Sequence, residues 1–202
     1  MTTTQTGLRP TQQLLADAMK KYAIQEKTDG SLYTFVSGRT SNWYSDGRQL
    51  TFRGDCVELV GHSIMEALEA AEKEMGKEPG SLTGFDAVGG PAVGAVPIAV
   101  AVGFVTGKNS FAVRKEAKDH GVGNLIAGPL EPGQKVLLVE DNATTGGSVL
   151  RAVDAAQEFG CEVVAVVTLL DRTGEAGPKC EERGLVFVPV LGAPDVGYEY
   201  GS

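Results

Sequence analysis

A pair of acids stands directly before a cluster of small polar residues in VLLVEDNATTGGSVLRAV, residues 136–153. Within this stretch, Thr144 to Ser148 combine hydroxyl groups with glycines, and a helical spacing of apolar residues follows them. Glycine lets successive backbone N–H groups turn toward one point, and the positive end of the following helix attracts an anion to the same place. The stretch therefore predicts a cradle for a phosphate group.

The two acids, Glu140 and Asp141, would repel such a phosphate unless something neutral or cationic lay between them. The vicinal hydroxyls of a sugar, with Mg²⁺ beyond them, meet this requirement, and a phosphorylated ribose has this shape. The alternative is that Thr144 or Ser148 only caps the helix while the acids end a strand. The chain contains neither GxxxxGK[ST] nor a GxGxxG after a strand, which excludes the two nucleotide-binding loops with those patterns.

A basic segment, VRKEAKDHG at residues 113–121, is the second stretch that could do chemistry. Its cations and its histidine are Arg114, Lys115, Lys118 and His120. The formal net charge of −8 argues against the broad basic face that nucleic acid or an anionic membrane surface requires. It leaves room for a local basic site for a small polyphosphate. The alternative is a solvated charged loop without a chemical task.

The elements that must position these residues alternate along the chain. Predicted strands are LYTFVSG, DAVGG, NSFAV, KVLLVED, EVVAVVTLLDR and LVFVPVL, and predicted helices span residues 11–25, 55–75, 93–102 and 146–160. The continuously apolar strands near Val136 and Val163 are typical of a parallel sheet that is buried on both faces. Since ligands bind at the carboxyl ends of such strands, we expect residues 89–94, 113–121, 140–148 and 170–175 to meet there.

The composition, with 42% hydrophobic and 22% charged residues, is ordinary for a globular domain with a sizeable core. The three cysteines, Cys56, Cys161 and Cys180, lack metal-ligand spacing, and we expect buried free thiols in a reducing compartment. Neither a secretory signal nor an apolar run long enough to span a bilayer is visible. We therefore expect a cytoplasmic protein with neither a membrane nor a nucleic-acid partner.

Several motifs carry a resemblance to a known family. VLLVEDNATTGGS resembles the ribose-5-phosphate loop of the type I phosphoribosyltransferases, and R-K-x-x-K-x-H-G resembles the mobile catalytic loop of the orotate phosphoribosyltransferase family. Ser37-Gly38-Arg39 with the following Tyr44 is similar to the SGR segment of that family, which carries the aromatic lining of the orotate pocket. DAVGGPAVG resembles its pyrophosphate loop, and LLDR, ending at Arg172, resembles the strand end whose arginine holds the orotate carboxylate.

The resemblance implies a fold, a reaction and an assembly. The fold is the α/β type I phosphoribosyltransferase fold, with a central parallel sheet flanked by helices and a small hood. A single domain is expected over residues 1–202, with the core at about 55–175 and the hood at about 1–54 and 180–202. The reaction converts orotate and phosphoribosyl pyrophosphate (PRPP) into orotidine 5′-monophosphate and pyrophosphate, in pyrimidine biosynthesis. Mg²⁺ would be held mainly through PRPP, and a homodimer would share the catalytic loop.

The resemblance also implies a role for individual residues. PRPP would be bound by the basic loop residues Arg114, Lys115, Lys118 and His120 and by Glu140, Asp141, Asn142, Ala143, Thr144, Thr145, Gly146, Gly147 and Ser148. Catalysis would depend on Lys118, His120 and Asp141, the first two acting on the charge or the proton of the departing pyrophosphate. Orotate would be bound by Arg39, Tyr44, Thr144 and Arg172, and the planar fork of an arginine suits a carboxylate.

The chain departs from the family pattern at two positions, and two other functions stay open. Many members have lysine where this chain has Val36, and again near Val93 in the pyrophosphate loop. A purine or xanthine phosphoribosyltransferase would share the EDxxTTGG loop, but would not explain the RKxxKxHG, SGR and LLDR segments. A PRPP-sensing regulator could keep the loop without turnover. Trp43 would either line the base pocket or anchor the hood.

Overall fold

The structure is a computed structural model that describes residues 7–34, 38–116 and 125–201. Four residues that the sequence singles out, Val36, Ser37, Lys118 and His120, lie outside the described residues. Their assignments therefore stay predictions, and the remaining candidate residues can be placed.

Short elements occupy the N-terminal part of the chain. They are α1 (Pro10–Ala18), a π-helical segment (Met19–Ala23), β1 (Ile24–Glu26), β2 (Tyr33–Thr34), β3 (Thr40–Ser41), β4 (Trp43–Ser45) and α2 (Arg48–Thr51). The helix predicted over residues 11–25 ends early, because residues 24–26 are extended and pair in antiparallel fashion with β4. A second antiparallel pair joins β2 to β3.

The rest of the chain alternates between longer helices and strands. A 3₁₀ turn (Gly54–Cys56) leads into α3 (Val57–Glu74), followed by β5 (Ala87–Pro91), α4 (Ala95–Thr106), β6 (Asn109–Val113), β7 (Ile126–Ala127), β8 (Lys135–Ala143), α5 (Gly147–Glu158), β9 (Glu162–Asp171), α6 (Ala176–Glu181), β10 (Phe187–Gly192) and a second 3₁₀ turn (Ala193–Val196). The predicted helices and strands after residue 55 are thus confirmed to within a few residues. In the described ranges, no helix is long and apolar enough to cross a membrane.

Six strands form the central sheet of the described chain, in the order β10-β9-β8-β5-β6-β7. The first five in this order run parallel, and only the short β7 pairs antiparallel, with β6. This arrangement confirms the predicted α/β class with a mostly parallel sheet. It also places the carboxyl ends of β5, β6, β8 and β9 along one edge.

Both faces of the sheet are covered, which explains the uninterrupted apolar run of β8. Leu137 and Val139 belong to the core that α1, α3 and α4 complete, whereas Val136 and Leu138 belong to the core on the α5 side. All four side chains are fully buried. Successive residues of a strand point to opposite faces, so a strand between two cores must be apolar throughout.

The C-terminal part of the predicted hood differs from the expectation. Residues 187–192 form β10, which pairs in parallel with residues 166–171 of β9 and is therefore an edge strand of the central sheet. The physical reason is the apolar character of the strand: Val188, Val190 and Leu191 are buried in the core. The remaining division of the chain into core and hood stays a prediction.

Candidate active site

Asp141 lies between two clefts at the carboxyl edge of the sheet. The first, here the Tyr44 cleft, has a volume of about 310 Å³ and is lined by Tyr44, Ser45, Asp46, Arg48, Gly94, Asp141, Asn142, Thr144 and Arg172. The second, the Arg114 cleft, has a volume of about 230 Å³ and is lined by Pro91, Ala92, Gly94, Val113, Arg114, Lys115, Leu125, Glu140, Asp141, Ser148, Arg151 and Ala152. The strand ends that the sequence predicted to meet do meet here.

Two glycines allow the backbone to approach the Asp141 side chain closely. A Cβ added to Gly47 would lie 2.7 Å from Asp141 Cβ, and one added to Gly94 would lie 2.7 Å from Asp141 Oδ1. Real Cβ atoms do not reach such distances, so any other residue at either position would have to displace the carboxylate. Gly47 precedes α2 and Gly94 precedes α4, and the two elements thereby fix Asp141 from opposite sides.

Asn142 ties the end of β8 to β4. Its Oδ1 accepts a hydrogen bond from Ser45 Oγ at 2.9 Å, and its Nδ2 donates to the Ser45 carbonyl at 3.4 Å and to Asp141 Oδ2 at 3.3 Å. The side chain that the sequence assigned to PRPP is thus engaged within the protein. Ala143 is buried, and its carbonyl accepts from the backbone N–H of Arg172 at 2.9 Å. Asn142 therefore lines the Tyr44 cleft with a side chain that is held by Ser45, and Ala143 lines neither cleft.

Burial raises the pKa of both acids of the pair, Glu140 and Asp141. Glu140 is only 8% exposed, and burial, reinforced by the adjacent Asp141 charge, raises its pKa to about 8. Burial also raises the pKa of Asp141, against hydrogen bonds from backbone N–H groups. Hydroxyl donors or a cation brought against these carboxyl groups would stabilise their charged forms. The pair is therefore suited to a polyhydroxylated ligand, alone or together with a metal ion.

The segment of residues 144–148 makes a sharp turn from β8 into α5. Gly146 precedes the helix in the left-handed conformation, with a φ of 73°, and a Cβ there would lie 3.2 Å from Ala176 Cβ. Among the described residues no side chain caps the helix at this position, because glycine has none to offer and Ser148 Oγ accepts from Arg151 instead. The first backbone N–H groups of α5 therefore remain for an anion.

Neighbouring elements hold this turn from behind. The Thr144 carbonyl accepts a hydrogen bond from Thr173 Oγ1 at 2.7 Å, and the Thr145 carbonyl accepts from Lys179 Nζ at 3.0 Å. The side chains of both turn threonines are exposed. Sequence reasoning missed Thr173 and Lys179, for which the only available signal was their position after the strand that ends in LLDR.

Arg172 is a buried cation in the Tyr44 cleft. It is 5% exposed, its Nη2 donates to the Trp43 carbonyl at 3.0 Å, and its guanidinium lies 4.3 Å above the Trp43 ring. Burial lowers the pKa of its guanidinium. Trp43 is fully buried and stacks on Tyr198 at 4.2 Å, so of the two roles left open for this tryptophan the structure supports the anchor.

Arg39 is the predicted orotate-binding residue that the described lining of the Tyr44 cleft does not include. Its guanidinium is well exposed and forms a 2.6 Å ion pair with Glu175, which also lies 3.6 Å from Lys179 Nζ. Arg39 is not among the described residues that line the Tyr44 cleft, whereas Tyr44 and Thr144 are. The two arginines predicted to share one ligand are therefore in different surroundings in this structure.

Three charged lining residues were not anticipated from the sequence. Asp46 and Arg48 form a forked ion pair, with Nε–Oδ1 at 2.7 Å and Nη2–Oδ2 at 3.0 Å, on the wall of the Tyr44 cleft. Arg151 lies in the Arg114 cleft. A signal for Arg151 existed: it follows Ser148 by three residues on a predicted helix, which places the two on the same face.

The described residues contain no group of three or more histidine, cysteine, aspartate or glutamate side chains that could hold a metal ion. Glu140 and Asp141 supply two carboxyl groups whose charge a cation would stabilise. These donors fit a metal whose remaining ligands come from a bound molecule. The three cysteines are free and buried, as predicted.

Comparisons with known proteins agree with this geometry. Residues 64–186 match the phosphoribosyl transferase domain model. Orotate phosphoribosyltransferase of Rhodopirellula baltica is 38% identical over 83% of this chain and 86% of its own length. That of Corynebacterium glutamicum is also 38% identical, over 91% and 92%.

This chain belongs to the orotate phosphoribosyltransferase family. The predicted family, fold and enzyme class are thereby confirmed. Solved members of the family superpose closely. Mycobacterium tuberculosis orotate phosphoribosyltransferase in complex with inorganic phosphate has a TM-score of 0.75 at 34% identity, covering 94% of this chain and all of that one. Its complex with PRPP has a TM-score of 0.72 at 32% identity and the same coverage.

Proposed function

We propose that this enzyme transfers the phosphoribosyl group of PRPP to orotate, releasing pyrophosphate and forming orotidine 5′-monophosphate. The proposal is based on the relative positions of the acid pair, the start of α5 and the two clefts. A buried Glu140, the half-buried Asp141 and a helix N-terminus that no described side chain caps lie between a cleft with a buried arginine and a cleft with two loop cations. These features suit, in order, a ribose with its phosphate, a carboxylate-bearing base and a pyrophosphate.

The Tyr44 cleft would hold orotate. Arg172 presents a guanidinium at a buried position, where a carboxylate ligand would gain more from the charge than it would in water. The Tyr44 ring forms one wall of the cleft and Thr144 another. Purine and uracil acceptors lack a carboxylate, and would not gain the bidentate hydrogen bonds that this guanidinium can donate to one. This observation favours orotate over the purine and xanthine alternatives.

The acid pair would orient the ribose. Glu140 and Asp141 would accept hydrogen bonds from the two vicinal hydroxyls, and the N-terminal N–H groups of α5 would bind the 5-phosphate. Gly47 and Gly94 pack against the Asp141 side chain, which lines both clefts. The ribose carbon at which the bond breaks would then lie between the base and the pyrophosphate.

The basic loop would act on the leaving group. In the expected oxocarbenium-like transition state, positive charge builds on the sugar and negative charge on the pyrophosphate. Arg114 and Lys115 line the cleft that would receive the pyrophosphate. Lys118 would stabilise the developing negative charge, and His120 would donate a proton or stabilise the same charge. Exclusion of water by the closed loop would strengthen these interactions.

Magnesium is part of the proposal. A bound Mg²⁺ would supply positive charge at the pyrophosphate and the ribose hydroxyls. Within this chain, Glu140 and Asp141 would face it, and the other ligands would come from PRPP. We also retain the predicted cytoplasmic location. The role in pyrimidine synthesis is likewise retained, and the names of the relatives support this role alone.

A homodimer is the proposed assembly, and an apolar surface supports it. α4, AVPIAVAVGFVT, is apolar around its whole circumference, although only one side faces the sheet and α3. Val100 and Phe104 are 53% and 67% exposed, and Phe52, at the end of the adjacent α2, is 61% exposed. A cluster of exposed apolar side chains of this kind is typical of an interface. A second copy would bring its own basic loop to the shared site.

One assay tests the reaction directly. The loss of orotate in the presence of PRPP and Mg²⁺ is followed in the ultraviolet, beside reactions with hypoxanthine, xanthine and uracil. We expect turnover of orotate only. A faster purine reaction would replace the proposal by a purine transferase. PRPP binding without turnover of any base would indicate a sensor.

A further inference from the structure

Arg151 is a cation of the Arg114 cleft to which neither the sequence motifs nor the proposed reaction assigns a role. It lies on α5, one turn beyond the phosphate-binding segment. Its guanidinium folds back over the start of the helix, with Nη2 donating to Ser148 Oγ at 3.3 Å and Nη1 lying 3.6 Å from the place of a Cβ on Gly147. The positive charge therefore stands over the turn whose N–H groups are uncapped.

Arg151 adds to the positive charge of the cleft. The ionisable side chains of the described lining are Arg114, Lys115, Arg151, Glu140 and Asp141. Because the pKa of Glu140 is raised to about 8, this acid is largely protonated at neutral pH, and the described lining is positive, as binding of a phosphate ester requires. Arg151 is the cation of this lining that lies beside the turn of residues 144–148.

The end of β5 and the residues after it do not add a charge to the described lining. They contribute Pro91, Ala92 and Gly94, none of which is charged. Arg151 also offsets part of the effect of the acid pair, since its charge lowers the pKa of Glu140 while burial and Asp141 raise it. The guanidinium is thus placed to reduce the repulsion between these acids and a neighbouring phosphate.

We propose that Arg151 is a further substrate-binding residue, whose guanidinium contacts the 5-phosphate of PRPP in the turn of residues 144–148. The proposal rests on the proposed function for the identity of the substrate. It makes the phosphate site a combination of backbone N–H donors and one planar, permanently charged side chain. Arginine suits this task because its fork can donate two hydrogen bonds to phosphate oxygens.

Binding measurements on the full chain test the proposal without turnover. We expect Arg151→Gln to weaken the affinity for ribose 5-phosphate about tenfold, which corresponds to about 1.4 kcal/mol, and to change the affinity for pyrophosphate much less. Arg151→Lys keeps the charge and should recover part of the loss. Isothermal titration calorimetry gives both dissociation constants, and thermal unfolding verifies that each variant is folded.

Arg183→Gln is the matched control. Arg183 pairs with Asp154 of α5 and donates to the Leu150 carbonyl, but it does not belong to the described lining of either cleft. This variant loses the same charge beside the same helix, and its ribose 5-phosphate affinity should match that of the unmodified protein. Equal losses in Arg151→Gln and the control would overturn the proposal, because they would reflect net charge alone.

Two further outcomes separate the proposal from the reaction on which it rests. A loss confined to pyrophosphate would overturn the assignment of Arg151 to the 5-phosphate. If the unmodified protein bound ribose 5-phosphate but did not consume orotate, the proposed reaction would fail, and the comparison of the two glutamine variants would still decide the role of Arg151.

Discussion

Arg172 combines two properties that rarely occur together in an arginine: it is almost completely buried, and it lines a cleft. Its contacts with Trp43, a hydrogen bond to the carbonyl and a position above the ring, orient the guanidinium before any ligand arrives. A ligand carboxylate therefore meets a preoriented fork, and little conformational entropy is lost on binding.

Replacement of Arg172 by lysine keeps the charge and removes the fork. We expect Arg172→Lys to raise the KM for orotate roughly tenfold to a hundredfold, in line with the value of a charge-assisted hydrogen bond, and to leave the KM for PRPP within about threefold. Steady-state kinetics with each substrate varied in turn gives both values. An equal rise in both KM values would show that the variant damages the whole site.

Lys118 belongs to the basic loop and lies outside the described residues, so its role rests on the sequence. If it acts on charge that develops on the departing pyrophosphate, Lys118→Ala should lower kcat by roughly tenfold to a hundredfold and change PRPP affinity far less. Rapid-quench turnover and equilibrium PRPP binding separate the two effects. Near-normal turnover in Lys118→Ala would defeat this assignment.

Because of Glu140, we expect a contribution to the free energy of unfolding that falls as the pH rises. Its pKa in the folded protein is raised to about 8, above that of the unfolded chain, so the folded state holds the proton over a wider range. Stability from this group is therefore present at low pH and falls as the pH rises toward about 8. Glu140→Gln removes the ionisation and should abolish this part of the pH dependence.

Thermal unfolding without substrate checks the prediction for Glu140. The Tm advantage of Glu140→Gln over the unmodified protein should grow between mildly acidic and mildly alkaline pH. Glu158→Gln, at an exposed glutamate at the end of the following helix α5, serves as the control. A Tm difference that does not change with pH would contradict the raised pKa.

At the scale of elements, the loops before α2 and α4 set the position of the Asp141 carboxylate, to which we propose a catalytic role. Gly47 and Gly94 belong to segments that are far apart in sequence and both touch Asp141. Asn142 joins β4 to β8 beside them. The site is therefore assembled where three elements meet. The position of the Asp141 carboxylate depends on the lack of a side chain at Gly47 and at Gly94.

A methyl group at residue 47 tests this arrangement. In Gly47→Ala the new Cβ would lie 2.7 Å from Asp141 Cβ, so the carboxylate has to move. We expect kcat/KM to fall on the order of a hundredfold, as misplacement of a catalytic group by about 1 Å can produce. In the control Gly54→Ala the new Cβ has nothing within 4 Å, and activity should be preserved.

Thermal unfolding distinguishes misplacement of Asp141 from loss of the fold. A Gly47→Ala protein that unfolds near the temperature of the unmodified one, yet is almost inactive, supports the positioning role. Full activity in Gly47→Ala would show that the carboxylate tolerates displacement, and that the close packing is not required for catalysis.

At the scale of the whole molecule, the exposed apolar side of α4 predicts the assembly. Phe104→Glu places a charge on this surface at its most exposed named residue, since Phe104 is 67% exposed. Burial of an unpaired charge in an interface is costly, so the variant should be a monomer, and it should lose turnover if the basic loop of one subunit serves the other. Light scattering after size-exclusion chromatography gives the mass.

Leu14→Glu is the control for that change. Leu14 is a comparably exposed apolar residue, but it lies on α1. This variant should remain a dimer with normal turnover. A monomeric unmodified protein that is fully active would contradict both the interface and the shared loop.

The sequence by itself determined the parts of this protein that depend on local patterns. Continuously apolar strands alternating with amphipathic helices specified a parallel sheet, and the order of acids, threonines and glycines in residues 140–148 specified the helix-terminal turn. The signals for these features are local, because apolar runs, helical spacing and glycine turns are patterns of neighbouring residues. The placement of β10 in the sheet could not be predicted, since strand order depends on packing between distant segments.

Only the tertiary structure decided which candidate side chains remain available to a ligand. Asn142 is engaged with Ser45, and Arg39 pairs with Glu175, both across more than ninety residues of sequence. Conversely, Arg151 enters the site because its guanidinium folds back over the turn before α5. The charge and chemistry of a residue are present in the sequence, whereas burial, partners and direction arise from contacts between segments far apart in the chain.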